Sequence, residues 1–250
     1  MEMRGRGVEW EVIIAGKRFP QYSSTVTLIK PREGVNLLFD LGSPYDNNLL
    51  LRVLQRHNLG PDDITHVLCS HWHIDHLGGI MLFPKAEIIS SKETLKTQKE
   101  LCAAVVEAEK KKNPVQELTR LLMEHILADS PFTGGNLRKF HAMANITIRN
   151  AIYLKEFIRK YEDDKIFVVD QSETTLFGSL KIFKVGYHTE GDLIATFTDS
   201  KGKEVFVVGD VVTGIGDSED EQVWMYRLKR KDREKKVLIV PGHGNVFSVR

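Results

Sequence analysis

Cysteine is scarce in this 250-residue chain: Cys69 and Cys102 are the only two. Two thiols cannot make a disulfide framework, and the count suits a reducing compartment. An excess of charge of one sign is also missing. Lys and Arg number 35 against 34 Asp and Glu, a formal net charge of +1. That balance gives no support to a surface built for non-specific nucleic-acid binding, although it is compatible with a local basic groove. No apolar run approaches the roughly 18 residues that would suggest a membrane span. Met1 to Gly7 is charged and has no apolar signal core. A protein without membrane contact, located in the cytoplasm, is the expectation. The chain also lacks a phosphate-cradling glycine loop and a dinucleotide fingerprint. It contains no motif for a Ser-His-Asp or Cys-His nucleophile.

What is present divides the chain into three stretches. The first reads as strands over Val8 to Ala15, Thr25 to Lys30 and Val35 to Asp40, then a helix over Asn47 to His57 with apolar spacing at Leu49, Leu50, Val53 and Leu54. Gly60-Pro61 stops that helix. Short strands follow at Thr65 to Cys69 and Ala86 to Ser90, and Cys69 is expected to be a small buried residue. From about Ser91 to Asp164, β-branched alternation gives way to charged helices. One apolar stripe is Leu95, Leu101, Val105 and Val106. A second is Leu118, Leu121, Leu122, His125 and Ile126, and a third runs from Met143 through Phe157 and Ile158. Strand patterns return at Ile166 to Val169, Thr174 to Gly186, Leu193 to Thr198, Glu204 to Val208 and Val237 to Val240, with a helix over Glu221 to Lys231. This order fits an α/β class: a two-sheet sandwich with helices outside and a helical insertion at 91–164.

The chemistry is concentrated in Ser70-His71-Trp72-His73-Ile74-Asp75-His76-Leu77-Gly78-Gly79. Neutral imidazoles and carboxylates are ligands for zinc and similar divalent metals. Residues two apart in an extended backbone face the same side, so His71 and His73 can grip one ion. Asp75 and His76 are placed to reach a second. Three further candidates each stand just after an apolar strand, where loops carry function: His188, Asp210 and His243. Nearby, Asp40 is expected either to hydrogen-bond a ligand imidazole or the loop backbone, or to serve only the turn. Thr189 is a candidate for a similar supporting role. Trp72 and Tyr187 are candidates for a pocket wall, with a structural role the alternative for Trp72. The Tyr187 hydroxyl is a candidate to assist a leaving group. The basic run from Arg227 to Lys236 is read as a solvated helix face rather than a nucleic-acid site.

The ordered set His-x-His-x-Asp-His, His, Asp, His resembles the metallo-β-lactamase superfamily over the whole chain except the helical insertion. The resemblance implies a four-layer αββα sandwich forming a single domain over residues 1–250. It implies one ion on His71, His73 and His188, a second on Asp75, His76 and His243, and Asp210 bridging both. Leu38-Phe39-Asp40-Leu41-Gly42 resembles the family's early strand-end motif, in which the Asp supports the metal loop. Gly209-Asp210-Val211, the acidic 216–220 stretch, Trp224 and Val240-Pro241-Gly242-His243-Gly244 are similar to the subfamily of metallo-β-lactamase domain-containing protein 1, which is associated with nuclease activity on RNA. The chain departs from the family in its long insertion and at Tyr187 and Glu190, which replace residues of a Gly-His-Thr-Pro-Gly turn. The expected function is hydrolysis through a water activated between two divalent ions, with Asp75 and Asp210 catalytic. Zinc is the expected metal, although the ligand set also accepts iron or manganese. Phosphodiesters are the expected substrates and a lactone or thioester is the alternative. RNA is admitted by the resemblance but not indicated by net charge. The stripes in the insertion leave open a homodimer contact or a lid.

Overall fold

The computed structural model describes residues 7–18, 21–113, 116–117, 120, 152–158, 165–213 and 237–249. The chain divides into two compact units, Met1–Thr94 with Asp164–Arg250, and Leu95–Asp163.

The first unit is an α/β sandwich of two six-stranded sheets. One sheet runs in order β1 (Glu9–Ile14), β2 (Val26–Lys30), β3 (Leu37–Phe39), β4 (His66–Leu68), β5 (Glu87–Ser91) and β6 (Ile166–Val169). The other contains β7 (Glu173–Leu176), β8 (Leu180–Lys184), β9 (Leu193–Thr198), β10 (Glu204–Gly209), β11 (Val237–Pro241) and β12 (Phe247–Val249), with β12 and β7 at its edges. Alternation sorts the side chains. Leu37, Phe39, Leu68 and Ile89 from the first sheet meet Ile182, Leu193, Ala195, Val205, Val207 and Val240 from the second in one buried cluster. The intervening Leu38, Val67 and Ile88 point the other way and are buried as well, as expected of strands apolar on both faces in the parallel part of a sheet. Leu50 and Leu54 of α1 (Asn47–Arg56) are fully buried.

Strands β3, β4, β5 and β6 are parallel neighbours, as are β10 and β11. The carboxyl ends of β3, β4, β10 and β11 release Asp40, the 70–76 loop, Asp210 and His243 at one edge of the sandwich. Crevices outside strand carboxyl ends are where open α/β sheets bind ligands.

One expected strand is two. Thr174 to Gly186 breaks at Phe177 and Gly178, both with positive φ (54° and 75°), and Ser179 N–H closes the turn on the Leu176 carbonyl at 3.2 Å. Two positive-φ residues make the tight turn whose twist suits a hairpin. Phe177 is held there edge-on to His66, with the Arg32 guanidinium over its ring.

In the second unit, α3 (Lys92–Glu109), which begins in the first, buries Gln98, Cys102, Val105 and Ala108. These lie at helical spacing, one face over from the expected stripe: of that stripe, Val105 is buried whereas Leu95, Leu101 and Val106 are half-buried. Residues 152–158 are also helical, with Leu154 and Phe157 fully buried. Lys155 pairs with Glu109 at 2.7 Å. The second expected stripe, most of the third, the helix expected at Glu221 to Lys231 and the basic run lie outside the described residues. No helix among the described residues is long and apolar enough to cross a membrane.

Candidate metal centre

The 70–76 loop leaves β4 and turns once. His73 caps α2 (Ile74–Leu77), its carbonyl accepting from the His76 and Leu77 N–H groups. That single turn swings Asp75 and His76 away from His71 and His73, so one short motif supplies two donor groups. His71 Nε2 lies 2.9 Å from His73 Nδ1, which lies 3.2 Å from His188 Nε2. His76 Nε2 is 3.9 Å and His243 Nε2 3.5 Å from Asp75 Oδ2. Asp210 stands between the two groups. Its Oδ2 faces His188 Nε2 at 3.7 Å, while Oδ1 faces His76 Nε2 at 3.2 Å and His243 Nε2 at 3.3 Å. The structure thus brings together all seven residues singled out in the sequence, in three overlapping sets whose donor atoms lie within 4.8 Å of one another.

The donors fit metal ions. Nitrogen ligands about 2.0 Å from a tetrahedral zinc stand about 3.3 Å apart, close to the spacings across these groups. His76 Nε2 and Asp210 Oδ1 are buried and face each other at 3.2 Å without a well-formed hydrogen bond, a pairing that a shared cation would satisfy. Burial lowers His71 well below the ordinary histidine range and takes His73 down to about 4, with the neighbouring imidazoles adding to the effect. Both therefore offer a neutral imidazole, the form in which histidine can hold a metal. For His76, burial acts in the same direction but is outweighed by the Asp210 and Asp40 carboxylates, which raise it well above its usual value. Burial tends to raise Asp210, and the facing imidazoles hold it well below the usual carboxylate range. A carboxylate crowded by histidines is an arrangement a divalent cation would complete.

Three residues not foreseen as supports hold this arrangement. Asp192, buried in the loop that joins β8 to β9, accepts from the backbone N–H groups of Tyr187, His188 and Thr189 and from the Thr189 hydroxyl. The Thr189 hydroxyl thus spends its bond on Asp192. Ser23 carries the second support: its carbonyl accepts from His243 Nδ1 at 3.0 Å, leaving Nε2 free to face Asp75 and Asp210. Ser70 is the third, with its hydroxyl 2.8 Å from Asp40 Oδ2. Asp40 adopts φ 55°, a conformation that Asp tolerates better than most residues but that still stores strain. It bonds both the loop backbone and the His76 imidazole. Trp72 is 1% exposed, so it is part of the packing and not a solvent-facing wall. The Tyr187 ring packs on the apolar cluster of Ile194, Val208 and Val211. Tyr22 is an exposed aromatic beside the site, edge-on to His243 at 5.7 Å between ring centres. Nothing in its local sequence marked it; the long-range fold places it there.

The sequence profile of the metallo-beta-lactamase superfamily matches residues 20–243. Metallo-beta-lactamase domain-containing protein 1 from Xenopus laevis is 41% identical over 71 residues, 28% of this chain and 30% of that protein. Its human counterpart is 38% identical over 55 residues, 22% of this chain and 21% of that protein. The aligned segments therefore span under a third of these relatives. A metallo-beta-lactamase-fold protein from Thermotoga maritima superposes with a TM-score of 0.64 at 18% identity, covering 97% of this chain and 100% of that one. AidC, a dizinc quorum-quenching lactonase, superposes with a TM-score of 0.55 at 15% identity, covering 94% and 84%. The chain belongs to the metallo-beta-lactamase superfamily, a fold of metal-dependent hydrolases.

Proposed function

We propose that the protein is a dinuclear metal-dependent hydrolase acting on phosphodiesters, with zinc as its metal. The observation that carries the dinuclear reading is the split of the Asp210 carboxylate, one oxygen toward His188 and the other toward His76 and His243. His71, His73 and His188 would hold one ion, and Asp75, His76 and His243 the other, with Asp210 shared between them. When bound, such a pair supplies an ionised water at neutral pH and polarises the scissile group.

The chain's own part is to fix donors, orient them and manage protons. Imidazoles held neutral by burial keep their ligand nitrogens free. Asp75, whose side chain is 17% exposed, is more open than Asp210 at 10%. It stands at the rim beside His243, where it can orient an attacking water and accept its proton. Two adjacent cation sites suit phosphodiester cleavage, which develops charge on equatorial oxygens and on the leaving alkoxide together. The resemblance of the Gly209–Val211 and Val240–Gly244 segments to a subfamily associated with nuclease activity on RNA favours the same substrate class.

A lactone or thioester is the second reading, supported by the fold likeness to AidC. The test is a panel of an activated phosphodiester, a lactone, a thioester and single-stranded RNA on metal-quantified protein. We expect about two ions per chain and the highest kcat/KM on the phosphodiester. A tenfold preference for a carboxyl ester, about 1.4 kcal/mol of transition-state binding, would make the second reading the right one. A stoichiometry of one would remove the dinuclear reading.

A further inference from the structure

Two ligand imidazoles, one from each donor group, lead back through hydrogen bonds to a single buried carboxylate. Asp40 Oδ1 accepts from the Ser70 backbone N–H at 2.8 Å. Asp40 Oδ2 is 2.8 Å from His76 Nδ1 and 2.8 Å from the Ser70 hydroxyl. That hydroxyl is also 3.0 Å from His71 Nδ1, with a longer contact of 3.3 Å to His76 Nδ1. Asp40, Ser70, His71 and His76 are all buried, so water does not compete for these bonds.

Proton bookkeeping leaves one arrangement. An ionised carboxylate only accepts, and a hydroxyl has one proton to give. Ser70 Oγ–H donates to Asp40 Oδ2, so its lone pairs face His71. His71 must then carry its proton on Nδ1 and donate it to Ser70 Oγ. His76 likewise donates Nδ1–H to Asp40 Oδ2. Both rings are left with Nε2 as the ligand atom, and in both the Nε2 faces the other donors.

We propose that Ser70 is a positioning residue through which Asp40, which sets the His76 tautomer directly, also sets that of His71, so that one carboxylate orients a ligand in each metal site. Gly209 makes room for the device: any side chain there would run into Ser70 Cβ and Oγ. The proposal rests on the two-site reading above, and the experiment separates the two.

Cadmium NMR on the loaded protein distinguishes the sites, because the His71 group offers more nitrogen donors than the Asp75 group. Competition with a chelator then gives an affinity for each. Ser70→Ala should weaken the ion at the His71 group about tenfold, the scale seen when a hydrogen-bond partner of a ligand imidazole is removed, and leave the other within threefold. Asp40→Asn should weaken both. Equal effects of Ser70→Ala at the two sites, or none, would overturn the proposal. Long-range nitrogen–proton NMR of the wild-type imidazoles needs no variant and no metal. His71 protonated on Nδ1 supports the device, and His71 protonated on Nε2 ends it. A wild-type chain that takes up one ion refutes the two-site reading, while the His71 tautomer still decides the role of Ser70.

Discussion

Asp210 is the residue on which the site turns, because its two oxygens serve different histidines. Asp210→Ala should remove turnover and bring metal content well below two per chain while leaving the circular dichroism spectrum unchanged. Retained activity with both ions bound would show that the bridge is not Asp210. Its neighbour Gly242 matters for a different reason. A Cβ at Gly242 would overlap Asp210 Oδ1 and press on the Gly209 backbone, so no larger residue fits while that carboxylate holds its place. Gly242→Ala should lower stability by about 1–3 kcal/mol, the usual cost of overpacking, and weaken metal binding with it. Thermal denaturation and elemental analysis of the same preparation would check both effects. A variant with wild-type stability and two ions would mean that the carboxylate sits elsewhere.

Among the elements, the β8–β9 hairpin shows how a candidate donor, His188, is held by Asp192, a residue outside the three donor sets. Asp192→Ala would leave three backbone N–H groups and the Thr189 hydroxyl without their acceptor. We expect a loss of roughly 1 kcal/mol for the part-buried donors left without their acceptor and about tenfold weaker binding of an ion held by His188. Chelator competition would read this, and unchanged affinity would show that the turn stands without Asp192. The donors were legible in sequence because His71 to His76 form a local motif and because His188, Asp210 and His243 each follow a recognisable apolar strand. Asp192, Ser23 and Ser70 were not foreseen in their supporting roles. Ser23 acts by a carbonyl, which any residue has, and the roles of all three depend on the tertiary fold. The same limit explains the missed turn at Phe177-Gly178. Phenylalanine favours strands, and its positive φ is held by His66 and Arg32 from distant parts of the chain. For α3, spacing predicted a buried face, but polar Gln98 lies on that face and hydropathy alone passed over it.

For the whole molecule, strand direction constrains what can replace the segment 95–163. β5 and β6 are parallel neighbours, with Ile88 opposite Ile166 and Ser91 opposite Val169. The chain leaves one end of β5 and must re-enter at the opposite end of β6, so any connection has to travel the length of a strand. Parallel crossovers need about a dozen residues or more. We therefore expect a flexible linker of that length in place of 95–163 to preserve two-ion binding, and a linker of about three residues to abolish it. Loss of binding with both would show that the segment completes the fold. The cut must spare Thr94, whose hydroxyl donates to the Gly191 carbonyl beside the His188 turn.

Acidity acts on the molecule as a whole. In metal-stripped protein His71 and His73 are neutral when folded and titrate near 6.5 when unfolded, so between pH 6.5 and about 4 the unfolded chain binds more protons. Stability should fall as pH drops through that window. Asp40, raised by burial, opposes the trend toward its lower end, while His76, raised by its carboxylates, contributes no slope below 6.5. Urea midpoints at pH 7 and pH 4.5 would test the sign, and a higher midpoint at pH 4.5 would contradict it.

The bond between Ser23 and His243 joins residues 220 apart in sequence, and this sets an order of events during biosynthesis. On the ribosome, His71, His73, Asp75 and His76 are made long before Asp210 and His243, so the nascent chain presents four candidate donors without the carboxylate that faces both groups. β11 cannot pair with β10 until both exist, and contacts this distant in sequence form slowly. Any ion caught early would rest on a half-built cradle, open to exchange with the surrounding metal pool. The identity of the bound metal would then be settled when the last strands close, by whichever ion the cell supplies at that moment.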